Sequence, residues 1–294
     1  MPALIASILG MLAGPAAAAQ TFPQFVDVAD AVGVTLRNVS GDREKNYIVE
    51  SAGNGVAFFD YDNDGDTDLL LTNGSTLDTY PGGGNAVAAL YRNEDGIFDD
   101  RTHDAGLTAT GWGMGVCVAD YDNDGDRDIY ITAYGPNLLY RNNGDSTFIE
   151  ISGAAGVADA QWATNCAFGD YDRDGRVDIF LINWFLDDRC HLLHNVSPKN
   201  HWLNVQVVGK QMNRMGIGAQ VKIYESGQLG KPAALLGFQE ITTGYGYASG
   251  QEAICHFGLG KADQVDVLVK LPSGKLIKQP GVQADQRLVI EEPE

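Results

Sequence analysis

One pattern occurs three times in this chain and sets the terms for everything around it. It reads GVAFFDYDNDGDTDLLLT from Gly55, GVCVADYDNDGDRDIYIT from Gly115 and NCAFGDYDRDGRVDIFLI from Asn165. Self-similarity of this kind marks a repeat architecture, in which each unit buries its apolar face only by stacking on a neighbour. Each copy is an apolar run, an acidic turn and a second apolar run rich in Ile and Leu, which reads as two strands joined by a loop. A third short strand follows: ALYRN ending at Asn93, LLYRN at Asn142 and HLLHN at Asn195. A fourth follows in the first two copies, IFDDRT from Ile97 and TFIEIS from Thr147, each leading into a small-residue turn.

Four short strands per unit predict an all-β, propeller-like array, a design that leaves few sheet edges open. Propellers usually have four to eight blades, and only three units are countable here, so the ring has few blades or is incomplete. The third unit lacks its fourth strand. Gln24–Ala29, followed by AVGV from Ala31, matches the missing pattern and is expected to pair beside the strand ending at Asn195, closing the array. After Ser197-Pro198-Lys199-Asn200, a bare turn, alternating runs at Leu203–Val208, Ala219–Tyr224 and Val265–Leu271 predict a small separate β domain. The expected organisation is a repeat region over residues 20–197 and a β domain over residues 198–294, packed together.

The loops themselves read as Ca²⁺ sites. Hard Ca²⁺ takes six to eight oxygens, and alternate carboxylates supply them from one tight turn. Position 1 is Asp60, Asp120 or Asp170; position 3 is Asp62, Asp122 or Asp172; position 5 is Asp64, Asp124 or Asp174. Glycine at position 6 permits the backbone reversal. Position 7, filled by Asp66, Asp126 and Arg176, is expected to act through its backbone carbonyl, because an Arg side chain cannot ligate a cation. Position 9 returns a carboxylate each time, as Asp68, Asp128 and Asp178. An EF-hand is excluded: it needs a Glu at position 12, where Leu71, Ile131 and Leu181 stand, and a strand rather than a helix follows. About three Ca²⁺ are expected, in a structural role.

These carboxylates dominate a net charge of −19, from 39 acidic against 20 basic residues, which with no basic patch excludes nucleic-acid binding. Residues 1–19 read as a secretory signal, with an apolar stretch from Leu4 to Gly14 and a small-residue run Ala16 to Ala19. No later run is long enough for a membrane span. The expected location is outside the cytosol, where Cys117, Cys166, Cys190 and Cys255 can form one or two disulfides. Cys117 and Cys166, at nearly matching places in successive units, read equally well as buried free thiols.

The loops with their flanking strands resemble FG-GAP/VCBS repeats, the calcium-loop repeats of integrin α-subunit propellers. That resemblance implies side-chain ligands at positions 1, 3, 5 and 9 and a backbone ligand at position 7. NHWLNVQVVG from Asn200, NRMGIGAQV from Asn213, GYGYASGQ from Gly244, HFGLG from His256 and LPSG from Leu271 resemble an ASPIC/UnbV domain. Repeats followed by this domain are the arrangement of the cartilage acidic protein family. Members generally have more repeats, and their G-x-G-Y-L-S-Q pattern reads here Gly244-Tyr245-Gly246-Tyr247-Ala248-Ser249-Gly250-Gln251.

No nucleophile elbow, Walker loop, dinucleotide fingerprint or H-E-x-x-H occurs. His191 and His194, three apart in a strand, point to opposite faces and do not form a pair. Arg92 and Arg141 are expected to bridge acidic loops. Glu50, Ser51 and Asn54, with Trp112, Trp162 and Asn183-Trp184-Phe185, stand at matching ends of successive units, where they either line one shared ligand pocket or pack between blades. The leading expectation is a secreted calcium-binding interaction module for an extracellular protein or glycan. The alternatives are a lyase- or cyclase-type enzyme using that pocket, and a purely structural component.

Overall fold

The computed structural model describes residues 25–184, 189–245, 249–250 and 252–294. The expected signal segment, Gln24, Phe185 and part of the 244–251 stretch lie outside them.

The repeats form three antiparallel sheets. The first contains β1 (Val56–Phe59) and β2 (Asp68–Thr72). A two-residue strand, β3 (Asn85–Ala86), precedes β4 (Ala88–Glu94) and β5 (Ile97–Asp100), and the sheet order is β1-β2-β4-β5. β3 pairs instead with β6 (Thr110–Gly111). The second sheet joins β7 (Gly113–Ala119), β8 (Asp128–Ala133), β9 (Leu138–Asn142) and β10 (Phe148–Glu150) in the same sequential order. The third has β11 (Ala163–Gly169), β12 (Asp178–Asn183) and β13 (His191–Leu193). Register is identical at each acidic turn: Phe59 faces Asp68, Ala119 faces Asp128 and Gly169 faces Asp178.

The sheets stack as blades. Phe59, Leu70 and Leu90 from the first share a core with Val116, Val118, Ile129 and Ile131 from the second. Tyr130 and Leu139 on the other face of the second pack with Phe168, Ile179 and Leu181 of the third. The inner strands come close enough to demand glycine: a Cβ on Gly55 would lie 2.9 Å from the Val116 nitrogen, and one on Gly115 would lie 2.9 Å from the Thr164 carbonyl. Cys117 of β7 and Cys166 of β11 form a disulfide there, with Cα atoms 6.0 Å apart, so the disulfide alternative is the one realised. Cys190 and Cys255 are free.

Among the described residues the array is open, and residues 25–29 do not pair beside β13 as expected. Residues 25–28 are not a strand, and Phe25 is 95% exposed. The stretch that follows lies on the first sheet, not the third. Val34 and Leu36 cover Leu69, Ala89 and Tyr91; the Leu36 N–H donates to Tyr91 Oη at 2.8 Å, and the Gly74 N–H donates to the Val39 carbonyl at 3.0 Å. The cause is apolar area. Val34 and Leu36 remove Leu69, Ala89 and Tyr91 of the first sheet from water, and this burial favours the position they take.

The C-terminal part contributes β14 (His201–Val208), β15 (Gln220–Glu225), β16 (Leu235–Glu240), β17 (Gly244–Tyr245), β18 (Ser249–Gly250) and β19 (Cys255–Gly260). It ends with β20 (Gln264–Lys270), β21 (Leu276–Gln283) and β22 (Gln286–Glu291). Two sheets, β19-β14-β22 and β16-β15-β20-β21, face each other over one core. Leu203, Val205 and Val207 meet Val221, Ile223, Val265, Val267 and Val269 there. The period-2 burial along β14 is the one its alternation predicts, and in β20 Val265, Val267 and Val269 keep it although Asp266 between them is buried too.

Candidate metal loops at the junction of the two parts

The three acidic turns share one backbone conformation. Position 4, which is Asn63, Asn123 or Arg173, and the glycine at position 6 both have positive φ. This double left-handed turn curls the chain so that its first and last carboxylates meet. In the first loop Asp60, Asp62 and Asp68 bring oxygens within 4.8 Å of one another; in the second Asp120, Asp122 and Asp128 do the same. Two oxygens on opposite sides of a Ca²⁺, each at 2.3–2.6 Å, lie about 5 Å apart. In the third loop Asp170, Asp172 and Asp174 converge, and so do Asp172, Asp178 and His194.

The position-9 carboxylate is fixed from both sides. Asp68 accepts from the N–H groups of Tyr61 and Asn93, Asp128 from those of Tyr121 and Asn142, and Asp178 from those of Tyr171 and Asn195. The position-1 carboxylates accept the glycine N–H at 2.9–3.1 Å in all three loops. Not every oxygen is satisfied: Oδ1 of Asp60, Asp62 and Asp122 is buried with no hydrogen-bond partner. In an interior where buried polar atoms are almost always paired, these unpaired acceptors mark the space between the carboxylates as fit for a cation.

Electrostatics agree. Burial, opposed by the Gly65 N–H, pushes Asp60 up to about 7, and burial likewise pushes Asp68 up to about 7 and Asp122 to about 6. Asp120 and Asp128 are raised well above the usual carboxylate range, again chiefly by burial. Asp174 goes the other way, because the Arg176 guanidinium hydrogen-bonds it.

The side chains of position 7 lie outside the converging trios. Asp66 is exposed, Asp126 accepts from Asn63 of the neighbouring loop, and Arg176 reaches out to the Ser197 carbonyl. At position 5, Asp64, Asp124 and Asp174 each turn an oxygen to the N–H of position 7, and Asp174 also belongs to a converging trio. Arg92 bridges Asp62 and Asp64 at 3.0 and 3.3 Å, as expected for a loop-bridging arginine. Arg141 makes no ion pair among the described residues, although its charge opposes the burial that raises Asp122. His194 stands where Arg92 and Arg141 stand in the other units, and its Nδ1 lies 3.1 Å from Asp178. His191 points elsewhere, toward Asp159, so the two histidines are separate.

Sequence reasoning did not identify the residues linking one loop to the next. The Asn142 amide donates to the Tyr61 carbonyl of the preceding unit, and the Asn195 amide donates to the Tyr121 carbonyl. The signal was present, since each third strand ends in Asn. The C-terminal part lies across the loops. His256 Nε2 is 2.7 Å from Asn123 Oδ1, the Gly260 N–H donates to the Asn123 carbonyl, and the Asn200 amide donates to the Asp122 carbonyl. Gly258 packs against Asp120, and Gly175 against Trp202, both too closely for a Cβ.

Among the described residues the pocket candidates pack between blades or stand apart. Trp112 and Trp162 are buried in a cluster with Val49 and Met114, part of a row of rings running Tyr80, Trp112, Tyr134, Trp162, Trp184 at 5.7–6.0 Å spacing along Trp112 to Trp184. Trp184 alone is exposed, at 56%. The Glu50 carboxylate is taken up by the N–H groups of Asp42 and Tyr47, which hold it below its ordinary range, while Ser51 and Asn54 face solvent. Aromatics at matching repeat ends pack on each other because adjacent blades bring them within ring-contact distance.

Comparison with known proteins follows the same division. An FG-GAP-like repeat model matches residues 60–131 and 120–181, and an ASPIC and UnbV model matches residues 209–294. No curated protein matches significantly. Among solved structures, a lectin of Agrocybe aegerita that recognises non-reducing terminal N-acetylglucosamine is 19% identical, with a TM-score of 0.26, over 49% of this chain; the chain spans 38% of the lectin's length. The chain is an FG-GAP-like repeat protein with a C-terminal ASPIC/UnbV domain.

Proposed function

We propose that this is an exported calcium-binding module in which each of the three loops holds a structural Ca²⁺ and the protein acts outside the cytosol on a protein or glycan partner. The observation that carries the reading is the set of buried, unpaired carboxylate oxygens converging in the first two loops. Positions 1, 3 and 9 are the proposed core of each site, with the position-7 carbonyl and water completing the shell. In the third loop Asp174 and His194 join. All ligands but His194 are oxygens, the donor type hard Ca²⁺ selects.

Export is supported by the disulfide between Cys117 and Cys166, a bond that persists in oxidising compartments. Among the described residues no helix is long and apolar enough to cross a membrane. The interaction role is supported by the open third sheet, whose outward face exposes Phe180, Ile182 and Leu192. The proposed division is a repeat region over residues 20–197 and a terminal domain over residues 198–294, with the ions bracing the loops on which that domain rests.

At an extracellular-type dissociation constant of about 10⁻⁴ M and millimolar Ca²⁺, each site contributes roughly 1.5 kcal/mol. Titration calorimetry on chelator-stripped protein should find close to three Ca²⁺ per chain. Binding of no more than one ion would overturn the reading.

A further inference from the structure

A cavity of about 620 Å³ lies between the second and third sheets and the C-terminal domain, within the size range of small-molecule sites. Phe168, Tyr171 and Trp202 supply its flat apolar walls, and Asn204 and Gln239 its amides. Arg127, at position 8 of the second loop, reaches into it from the repeat side; its counterparts in the other loops are Thr67 and Val177.

Arg127 is only 8% exposed, and its Nε is buried with no hydrogen-bond partner. Its guanidinium makes no hydrogen bond or ion pair with any described residue. Asp60 and Glu240 border it in the adjoining cavity, yet neither pairs with it. A buried charge without a partner is among the least favourable arrangements a fold can hold, so the neighbouring charges matter. Arg287 is paired with Glu252 at 2.8 Å, and Asp170 is turned into its own loop by the N–H groups of Asp174 and Gly175. His256 is held between Asn204 and Asn123, and burial lowers it to about 4, so it is neutral at pH 7. Arg173, on the rim, also has no ion pair among the described residues. The cavity therefore presents two uncompensated guanidinium groups, one of them deep.

We propose that this cavity binds a small organic anion, whose carboxylate, sulfate or phosphate head sits on the Arg127 guanidinium while its body lies against Trp202 and Tyr171. The planar fork of an arginine matches such oxyanions in two parallel hydrogen bonds, and a dry site strengthens them.

The test uses the full chain in calcium buffer, titrated calorimetrically with D-glucuronate, inorganic sulfate and the neutral control D-glucose. Glucuronate should bind, sulfate should compete with it, and glucose should not bind. Arg127→Gln should weaken glucuronate at least about 30-fold, and Arg173→Gln, at the rim, only a few-fold. Sulfate binding without glucuronate binding would identify an inorganic anion site and overturn the organic ligand. Absence of binding by both anions at about 10 mM, or binding unchanged in Arg127→Gln, would overturn the site altogether. Arg127→Met separates this from a fold role: with no ligand it should melt at or above the parent temperature, and a large drop would show the guanidinium to be structural.

Discussion

Asp66 and Asp68 stand two residues apart in one loop, yet only Asp68 faces inward. Asp66→Ala should leave both stability and calcium count unchanged, within about 0.5 kcal/mol. Asp68→Ala leaves the Tyr61 and Asn93 N–H groups without their acceptor and removes a carboxylate from the converging trio. It should lower stability by about 2–4 kcal/mol and reduce bound calcium by one, as read by denaturant unfolding and metal analysis. Equal effects of the two substitutions would contradict the proposed ligand set. This contrast was legible in the sequence, because Arg176 occupies the position of Asp66 while position 9 is Asp in every copy. The role of His194 was less so. Strand periodicity correctly separated it from His191, but only the fold brings the end of a third strand back over the loop.

At the scale of elements, hairpin register and strand order were legible because each unit repeats its apolar periodicity around a fixed turn. What joins one blade to the next was not, since sequence separation says nothing of adjacency. Cys117 and Cys166 illustrate this: 49 residues apart, they face each other because β7 and β11 are neighbouring inner strands. Replacing both with Ala should cost about 2–4 kcal/mol, measured by denaturant unfolding, with no loss of calcium sites. An unchanged midpoint would mean that the packing of Phe168, Tyr130 and Leu181 alone holds the second and third sheets together. The N-terminal stretch failed as a predicted fourth strand for a related reason. Its pattern matched β5 and β10, but pattern cannot say which sheet offers an uncovered apolar face. Val34 and Leu36 found that of the first.

Over the whole molecule, the repeats, the terminal domain and the loops depend on one another. The C-terminal part rests on Asn123, Asp122 and Gly175, all within or beside the acidic turns. Sequence placed the two parts side by side but could not show that the contact runs through the candidate metal loops. A pH dependence follows from this burial. Asp60 and Asp68 titrate near 7 when folded, against about 3.9 unfolded, so between those values the folded state binds more protons. Without metal, stability is therefore greatest below about pH 4 with respect to these groups, and falls as pH rises toward 7. Ca²⁺ must displace those protons, so the stabilisation it confers grows over the same window. The most direct measurement is calorimetric melting at pH 5.0 and 7.5, with millimolar Ca²⁺ and with chelator. The buried-carboxylate account predicts that the gain in melting temperature from calcium is several degrees larger at pH 7.5 than at pH 5.0. A gain that is absent at both, or equal at both, would contradict it.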